Sequence, residues 1–390
     1  MAYDFDRLVN RNGISVKYDM AGLLWPGMKL AENVIPMWIA DMDFACCDHI
    51  LDALKERLTR PTLGYENPVT PDYLETIVRW MEERHGYKIG AEEIITCTGA
   101  IDALKIAILA FTKPGDGILI QQPVYGPFSA AIQTSGRKVV NNRLLYESGV
   151  YQIDFDDLEE KASDPHTTML AFCNPHNPVG RVWSVEELHR IYDICRRHDV
   201  YIVSDEVHGD IVRAACTYTP MGRIGTEKVI MTTTPGKAFN VSGLHLAHVL
   251  IGSPVTREAF VRERGRSFPS PFAAAAAKAA YSEGGTWLQE LNQYLDQSFE
   301  ILKEELPRIL PKAKLAEPEG MFLAWIDLNE YHLSSEETGH LFVEKAGVIP
   351  DPGTHFGVEG TGFVRLNIAC PHSMLREALR RIGQAFAAFE

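Results

Sequence analysis

Between residues 93 and 254 the chain alternates short apolar runs with stretches of helical length. EIITCT (93–98), GILIQQP (117–123), TMLAFCNP (168–175), YIVSDEV (201–207), KVIMTTT (228–234) and HVLIGSP (248–254) are rich in β-branched and aliphatic residues and have the length of buried strands. GAIDALKIAILAFT (99–112) and SVEELHRIYDICRRH (184–198) read as helices, KPGD (113–116) as a turn, and a further helix is expected from Pro127. Such alternation predicts an α/β layer built on a largely parallel sheet. Its strands are covered on both faces, which is why the runs are continuously apolar.

Around this region the pattern differs. Residues 1–50 look irregular. Helices fit 47–58, ended by Pro61, and 71–85, with Pro71 in the first turn. After about 285 a long helix fits 287–306, GMFLAWIDL (320–328) and FVRLNIA (363–369) read as strands, and a last helix covers about 373–388. The expected division is a large α/β domain over 50–285 and a smaller α+β domain made of 1–49 and 286–390.

In an open α/β sheet, ligands bind beyond the carboxyl ends of the strands. Here those ends carry chemistry: Asn174 and Asn177 follow TMLAFC, Asp205 follows YIVS, and Lys237 follows VIMTTTPG. Gly99 and Ala100 follow EIITCT at a helix start, where free N–H groups suit a phosphate. Taken singly each is ordinary. A lysine after a turn is usually a solvated charge, and Asn-Pro usually just makes a turn. Tyr125 would by default be a core or interface aromatic, and Arg365 an edge-strand charge. Together, a lysine, an aspartate and an asparagine are the groups that hold a pyridoxal phosphate (PLP) ring. The lysine can form an imine with its aldehyde, the aspartate can keep its nitrogen protonated, and the asparagine can donate to its hydroxyl oxygen.

The net charge of −14 over 390 residues argues against a nucleic-acid or anionic-membrane surface. The seven cysteines include no metal-type CxxC pair, and no metal site is expected. They read as buried thiols of a reducing cytoplasm, with Cys46–Cys47 the pair to watch for oxidation. The start, MAYDFDR, lacks the apolar core of a signal peptide. FAAAAAKAA (272–280) is too short to span a bilayer. A cytoplasmic protein is expected.

The stretches MWIADMDF, GYENP, TGAIDALKIAILAFTKPGD, QQPVYGPF, NPHNPVGRVWSVEEL, SDEVHGDIV, GKAFNVSGL and VRLNIACP span about residues 36–372. In this order they resemble fold-type I PLP enzymes of the aminotransferase class I/II superfamily. Within that superfamily the chain is most similar to the cystathionine β-lyase-like C–S lyases, the MalY/PatB group. The resemblance implies roles residue by residue. Lys237 is the Schiff-base lysine and moves the proton at Cα. Asp205 partners the pyridinium, Asn177 donates to the ring 3′ oxygen, and His208 stands beside that oxygen where many aminotransferases carry tyrosine. Tyr125 stacks on the ring, and Gly99, Ala100, Ile101 and Thr234 cup the phosphate. Arg365 grips the substrate α-carboxylate, with Ala40 and Trp38 on the substrate side. Tyr65 reaches the phosphate of a neighbouring subunit, which implies a homodimer with shared active sites.

Two positions depart from the aminotransferase pattern. His245 stands where an arginine usually binds the phosphate, and Gly236 where serine is common. A neutral imidazole compensates phosphate charge less well than a guanidinium. Both departures favour the lyase group, whose reaction is β-elimination of a cysteine S-conjugate to pyruvate, ammonia and a thiol. Transamination begins with the same proton removal and is the alternative. A PLP-fold regulator that only binds a partner is a third reading, disfavoured because Lys237, Asp205, Asn177 and Arg365 are all in place.

Overall fold

The structure, a computed structural model, describes residues 3–389 except Leu63 and Tyr65. The expected role of Tyr65 therefore lies outside the described residues. Seven strands form the large sheet: β1 (Ile94–Cys97), β2 (Gly117–Ile120), β3 (Lys138–Asn141), β4 (Thr167–Cys173), β5 (Tyr201–Asp205), β6 (Val229–Thr233) and β7 (Ala247–Leu250). Their order is β1-β7-β6-β5-β4-β2-β3. From β6 through β3 every pairing is parallel. The interiors of β4 and β5 are buried, as their apolar runs require.

β7 runs antiparallel to both β1 and β6. The sheet is thus mixed, and HVLIGSP enters it against the sense of its neighbours. A parallel return needs a crossover of a dozen or more residues, usually a helix. Residues 234–246 hold only the short turns Pro235–Ala238 and Ser242–Leu244. The chain therefore turns back directly, and the segment carrying Lys237 stays on the carboxyl edge of the sheet.

The expected helices form at Asp48–Leu58, Pro71–His85, Ala100–Phe111, Pro127–Thr134, Val185–Arg197, Gly285–Ile309 and His372–Phe386. Ser184 starts the helix at 185 with a capping box to Glu187. Among the described residues, three helices of eight or more residues went unread: Phe155–Ala162, Pro254–Arg264 and Pro271–Glu283. The last contains the alanine run, whose buried alanines let it pack closely beside helices 48–58 and 71–85. Among the described residues no helix is long and apolar enough to cross a membrane. All seven cysteines are free, and Cys46 and Cys216 are the two not fully buried.

A second sheet, all antiparallel, orders Lys314–Leu315, Leu323–Asp327, Phe363–Asn367 and Asp351–Pro352. The N-terminal segment bridges the two sheets. Ile35–Pro36 pairs with Val348–Ile349, and Asn367 Nδ2 donates to the carbonyls of Ile39 and Asp41 at 2.6 and 2.8 Å. Asn240 Nδ2, three residues beyond Lys237, donates to Met42 and Phe44 at 3.0 and 2.9 Å. Lys17, fully buried, donates to Asp43 at 2.6 Å and to the Asp41 carbonyl at 3.0 Å. Residues 37–44 are thereby fixed against both sheets.

Candidate active site

A cavity of about 670 Å³ opens at the carboxyl edge of the large sheet, roofed by residues 38–40 and the second sheet. Every residue given a site role by the resemblance, apart from Tyr65, lines it: Trp38, Ala40, Gly99, Ala100, Ile101, Tyr125, Asn177, Asp205, His208, Thr234, Lys237 and Arg365; Asn174 does not, being buried with its Nδ2 donating to the Thr219 carbonyl at 3.1 Å. Parallel pairing explains part of this convergence. Cys173 is opposite Asp205, and Asp205 opposite Thr232, so three strands end in one row. Cys173 also fixes the loop beyond it, accepting from the Asn177 N–H at 3.4 Å.

Lys237 Nζ donates to the Ala40 carbonyl at 2.8 Å. Although its side chain faces the cavity, desolvation draws its pKa down to about 8; Asp41 and Asp205 oppose the shift and Arg365 adds to it. Asp205 accepts from the Val207 N–H at 3.3 Å. Burial pushes its carboxyl up to about 6 against the pull of that bond and of Lys237. Its neighbour Glu206 points to the other face, as successive strand residues do. It accepts from Ser204 at 2.5 Å, from the Met221 N–H at 3.0 Å and from the Tyr218 hydroxyl. Burial raises its pKa to about 7.

Arg365 is 3% exposed. Its Nη1 donates to Asn177 Oδ1 at 3.0 Å, and its Nη2 to the Trp38 carbonyl and Asp351 Oδ2, both at 2.6 Å. Asp351 is its cross-strand partner, which sets that contact. Asp351 also accepts from His355 Nδ1 at 2.9 Å. Burial next to Lys237 and Arg365 holds His208 neutral, and its Nδ1 has no partner among the described residues. Tyr125 stands at the mouth, 36% exposed, its N–H donating to the Asn177 carbonyl at 3.1 Å.

The helix at Ala100–Phe111 begins uncapped at Gly99, with open space where a Cβ would stand. Its first N–H groups face the cavity beside Thr234, whose hydroxyl donates to the Leu246 carbonyl at 2.6 Å and accepts from the Gly236 N–H at 2.9 Å. Asp102 also lines this end, but its carboxylate takes both donors of Thr98. Gly236 and His245 belong to the same wall. A Cβ on Gly236 would stand 3.0 Å from Thr234 Oγ1 and 3.3 Å from Ser242, so a serine here would need both neighbours to give by a few tenths of an ångström. His245 is exposed and adopts φ 53°.

A model of the family named aminotransferase class I and II matches residues 32–382. The chain belongs to that family. It is 39% identical over 393 residues to the cystathionine beta-lyase PatB of Bacillus subtilis (strain 168), covering 98% of this chain and 100% of that protein. The crystal structure of cystalysin from Treponema denticola, which contains PLP, superposes with a TM-score of 0.95 at 34% identity, covering 100% of both chains. The PLP-bound C–S lyase from Staphylococcus hominis gives 0.92 at 33%, covering 98% of each.

The residues here fit such a cofactor. An uncapped helix start suits its phosphate, Lys237 is drawn toward the neutral amine, and Asp205 is a half-buried carboxylate with no ion-pair partner among the described residues. Sequence reasoning missed Asp351, His355, Ser242 and Leu24, which also line the cavity. Cross-strand pairing and loop packing bring them there, and neither leaves a local sequence signal.

Proposed function

We propose that this protein is a PLP-dependent C–S β-lyase acting on cystathionine or related cysteine S-conjugates. The observation that carries the reading is the convergence of Lys237, Asp205, Asn177 and Arg365 on one cavity, in a chain 39% identical to a cystathionine beta-lyase along its length. The overall reaction takes an S-conjugate and one water to a thiol, pyruvate and ammonium.

When bound, PLP supplies an aldehyde for amine capture and a ring that stores the electron pair left at Cα. The protein's groups do the rest. With a pKa near 8, Lys237 presents roughly a tenth of its population as neutral amine at pH 7, enough to act as the base at Cα. Asp205 keeps a ring nitrogen protonated, because a cation in contact favours its charged form. Asn177 spends its oxygen on Arg365, which leaves its amide N–H to donate to the ring oxygen. Arg365 uses three of its five N–H donors within the protein. The substrate carboxylate would draw on the two that remain, of which the Nε–H is buried and without a partner among the described residues.

The same reading includes a homodimer completed by Tyr65, a cytoplasmic location, and a large body over 50–285 with a smaller one from 1–49 and 286–390. A helix break at Gly284 supports the second boundary. The deciding experiment is pyruvate release from L-cystathionine by PLP-loaded protein without any keto acid. Release establishes the lyase. Turnover only after a keto acid is added makes the protein an aminotransferase.

A further inference from the structure

Arg365 does not meet the cavity as a free charge. Asp351 Oδ2 compensates it at 2.6 Å, and the two side chains are 4% and 10% exposed. A guanidinium paired in this way still offers donors to an incoming carboxylate, but little net charge. The other oxygen of the same carboxylate, Asp351 Oδ1, accepts from His355 Nδ1 at 2.9 Å. His355 lines the cavity, and its side chain is 41% exposed. Arg365, Asp351 and His355 thus form a row. With a neutral imidazole the row is uncharged, and with an imidazolium it carries a net positive charge.

The turn that bears His355 is built to hold this row. Phe356, the next residue, lies against the guanidinium, with Arg365 Cζ 4.8 Å from its ring centroid. The Phe356 carbonyl accepts from the Val124 N–H at 2.9 Å. A Cβ on Gly126 would collide with the His355 carbonyl, and one on Gly353 with the Gly360 carbonyl. The backbone of the turn is therefore closed in on both sides.

Other charges surround the ring. On the next turn Glu359 accepts from Asn141 Nδ2 at 2.7 Å. His355 also borders a hollow that carries Glu336, Glu337, His340, Glu344 and Lys345. There Glu344 pairs with His340 at 2.8 Å, Glu337 is tied to Ser334, and Glu336 and Lys345 are opposite in sign. On the cavity side stand Tyr125, Asp205, His208 and Lys237, with Asp102 and His245 at the phosphate end. Burial holds His208 neutral. Lys237 and Asp205 have pKa values of about 8 and about 6.

We propose that His355 is a positioning residue for substrate, acting through Asp351: protonated, it offsets that carboxylate and lets Arg365 meet the substrate α-carboxylate with net positive charge. Neutral, it leaves the substrate to hydrogen bonds alone. Carboxylate binding is thereby linked to a proton on His355, stronger where the imidazole is charged and weaker as pH rises. The proposal rests on Arg365 serving as the carboxylate group of the lyase reading.

The probe is 3-(methylthio)propanoate, which has the carboxylate and sulfur of a substrate but no amine to react with the cofactor. It stays ionised from about pH 6 upward. Its dissociation constant from the PLP-loaded protein is read by ligand-observed NMR at pH 6 and pH 8, the range over which an imidazole changes charge. Binding should weaken by about two- to fivefold at the higher pH, as befits a partly exposed charge. His355→Gln keeps a donor for Asp351 without a charge and should remove this change. His355→Lys stays charged and should bind equally at both values. Lys237 and Asp205 titrate in the same range, so the histidine's share is the difference between proteins. The uncharged 3-(methylthio)propanamide should show no such difference. The same pH dependence in wild type and His355→Gln overturns the proposal, as does undiminished probe binding in Arg365→Ala. Pyruvate release from L-cystathionine then leaves the lyase standing. No pyruvate, with the histidine-dependent change intact, overturns the lyase alone.

Discussion

Arg365 Nη1 donates to Asn177 Oδ1 at 3.0 Å, joining residues 188 positions apart in the chain. One belongs to the second sheet and the other to the loop after β4, so the group expected at the substrate carboxylate is oriented by the group expected at the cofactor ring. Arg365→Lys removes this fork while keeping the charge. A hydrogen bond to a charged group is worth about 1.5–3 kcal/mol, so KM should rise roughly 10- to 150-fold, with kcat affected less. Steady-state kinetics of pyruvate release measures the split. Arg365→Ala should weaken substrate binding further yet keep bound cofactor visible by its absorbance. Loss of the cofactor would mean that Arg365 has another role.

Lys237→Ala should abolish elimination, because the proposed mechanism asks this one residue for both the cofactor attachment and the base at Cα. Full activity in that variant would remove Lys237 from the mechanism. In cofactor-free protein, Lys237 should react with an amine-directed reagent in step with a pKa near 8, against about 10.4 for an ordinary lysine. Mass spectrometry of the 237 peptide after labelling at pH 7, 8 and 9 reads this directly. A midpoint above pH 10 would mean that burial does not govern the amine.

In the cofactor-free protein, Asp205 and Glu206 should contribute stability that is lost as pH rises through the acid range. Asp205 at about 6 and Glu206 at about 7 both sit above their ordinary carboxylate values. The folded state then binds more protons than the unfolded state between about pH 4 and pH 7, so this contribution falls as pH rises. Buried His176, His208 and His248, whose pKa values burial lowers, act in the opposite sense, so the carboxylate contribution is read as a difference between proteins. Relative to wild type, Asp205→Asn and Glu206→Gln should each shift the change in denaturant midpoint between pH 5 and pH 7.5 toward greater stability at the higher pH, and an identical pH dependence in both variants would count against these groups.

Asp351 accepts from both Arg365 and His355. Asp351→Ala leaves a buried guanidinium without its carboxylate, a class of change that costs about 3–5 kcal/mol. Urea denaturation should show the loss, and KM should rise with it because Arg365 is no longer held. A midpoint equal to that of the wild-type protein would show that solvent replaces the carboxylate.

Lys17 anchors the roof of the site. It is fully buried, donates to Asp43, and its own carbonyl accepts from Trp38 Nε1 at 2.8 Å. Lys17→Met should destabilise the protein less than Lys17→Ala, since methionine refills the volume and Arg11 still pairs with Asp43. Thermal melts of the two variants compare them, and the reverse order would show that volume is not what matters there.

Much of the large sheet and twelve of the cavity-lining residues were legible in the chain order, because strand–helix alternation fixes which ends of the strands meet. The sense of β7 was not legible, since an apolar run looks alike in either direction. The helix at Pro271–Glu283 was missed because an alanine run carries no strong amphipathic stripe, only the capacity for close packing. The residues that finish the site were hidden for a different reason. Asp351 reaches Arg365 through antiparallel register, and His355 reaches the mouth because its turn packs on Gly126. The sequence by itself determined which chemistry each strand end carries, as local pattern and residue type suffice for that. Only the tertiary structure decided how those ends are roofed and which pairs share a proton or a charge, because those depend on contacts between segments hundreds of residues apart.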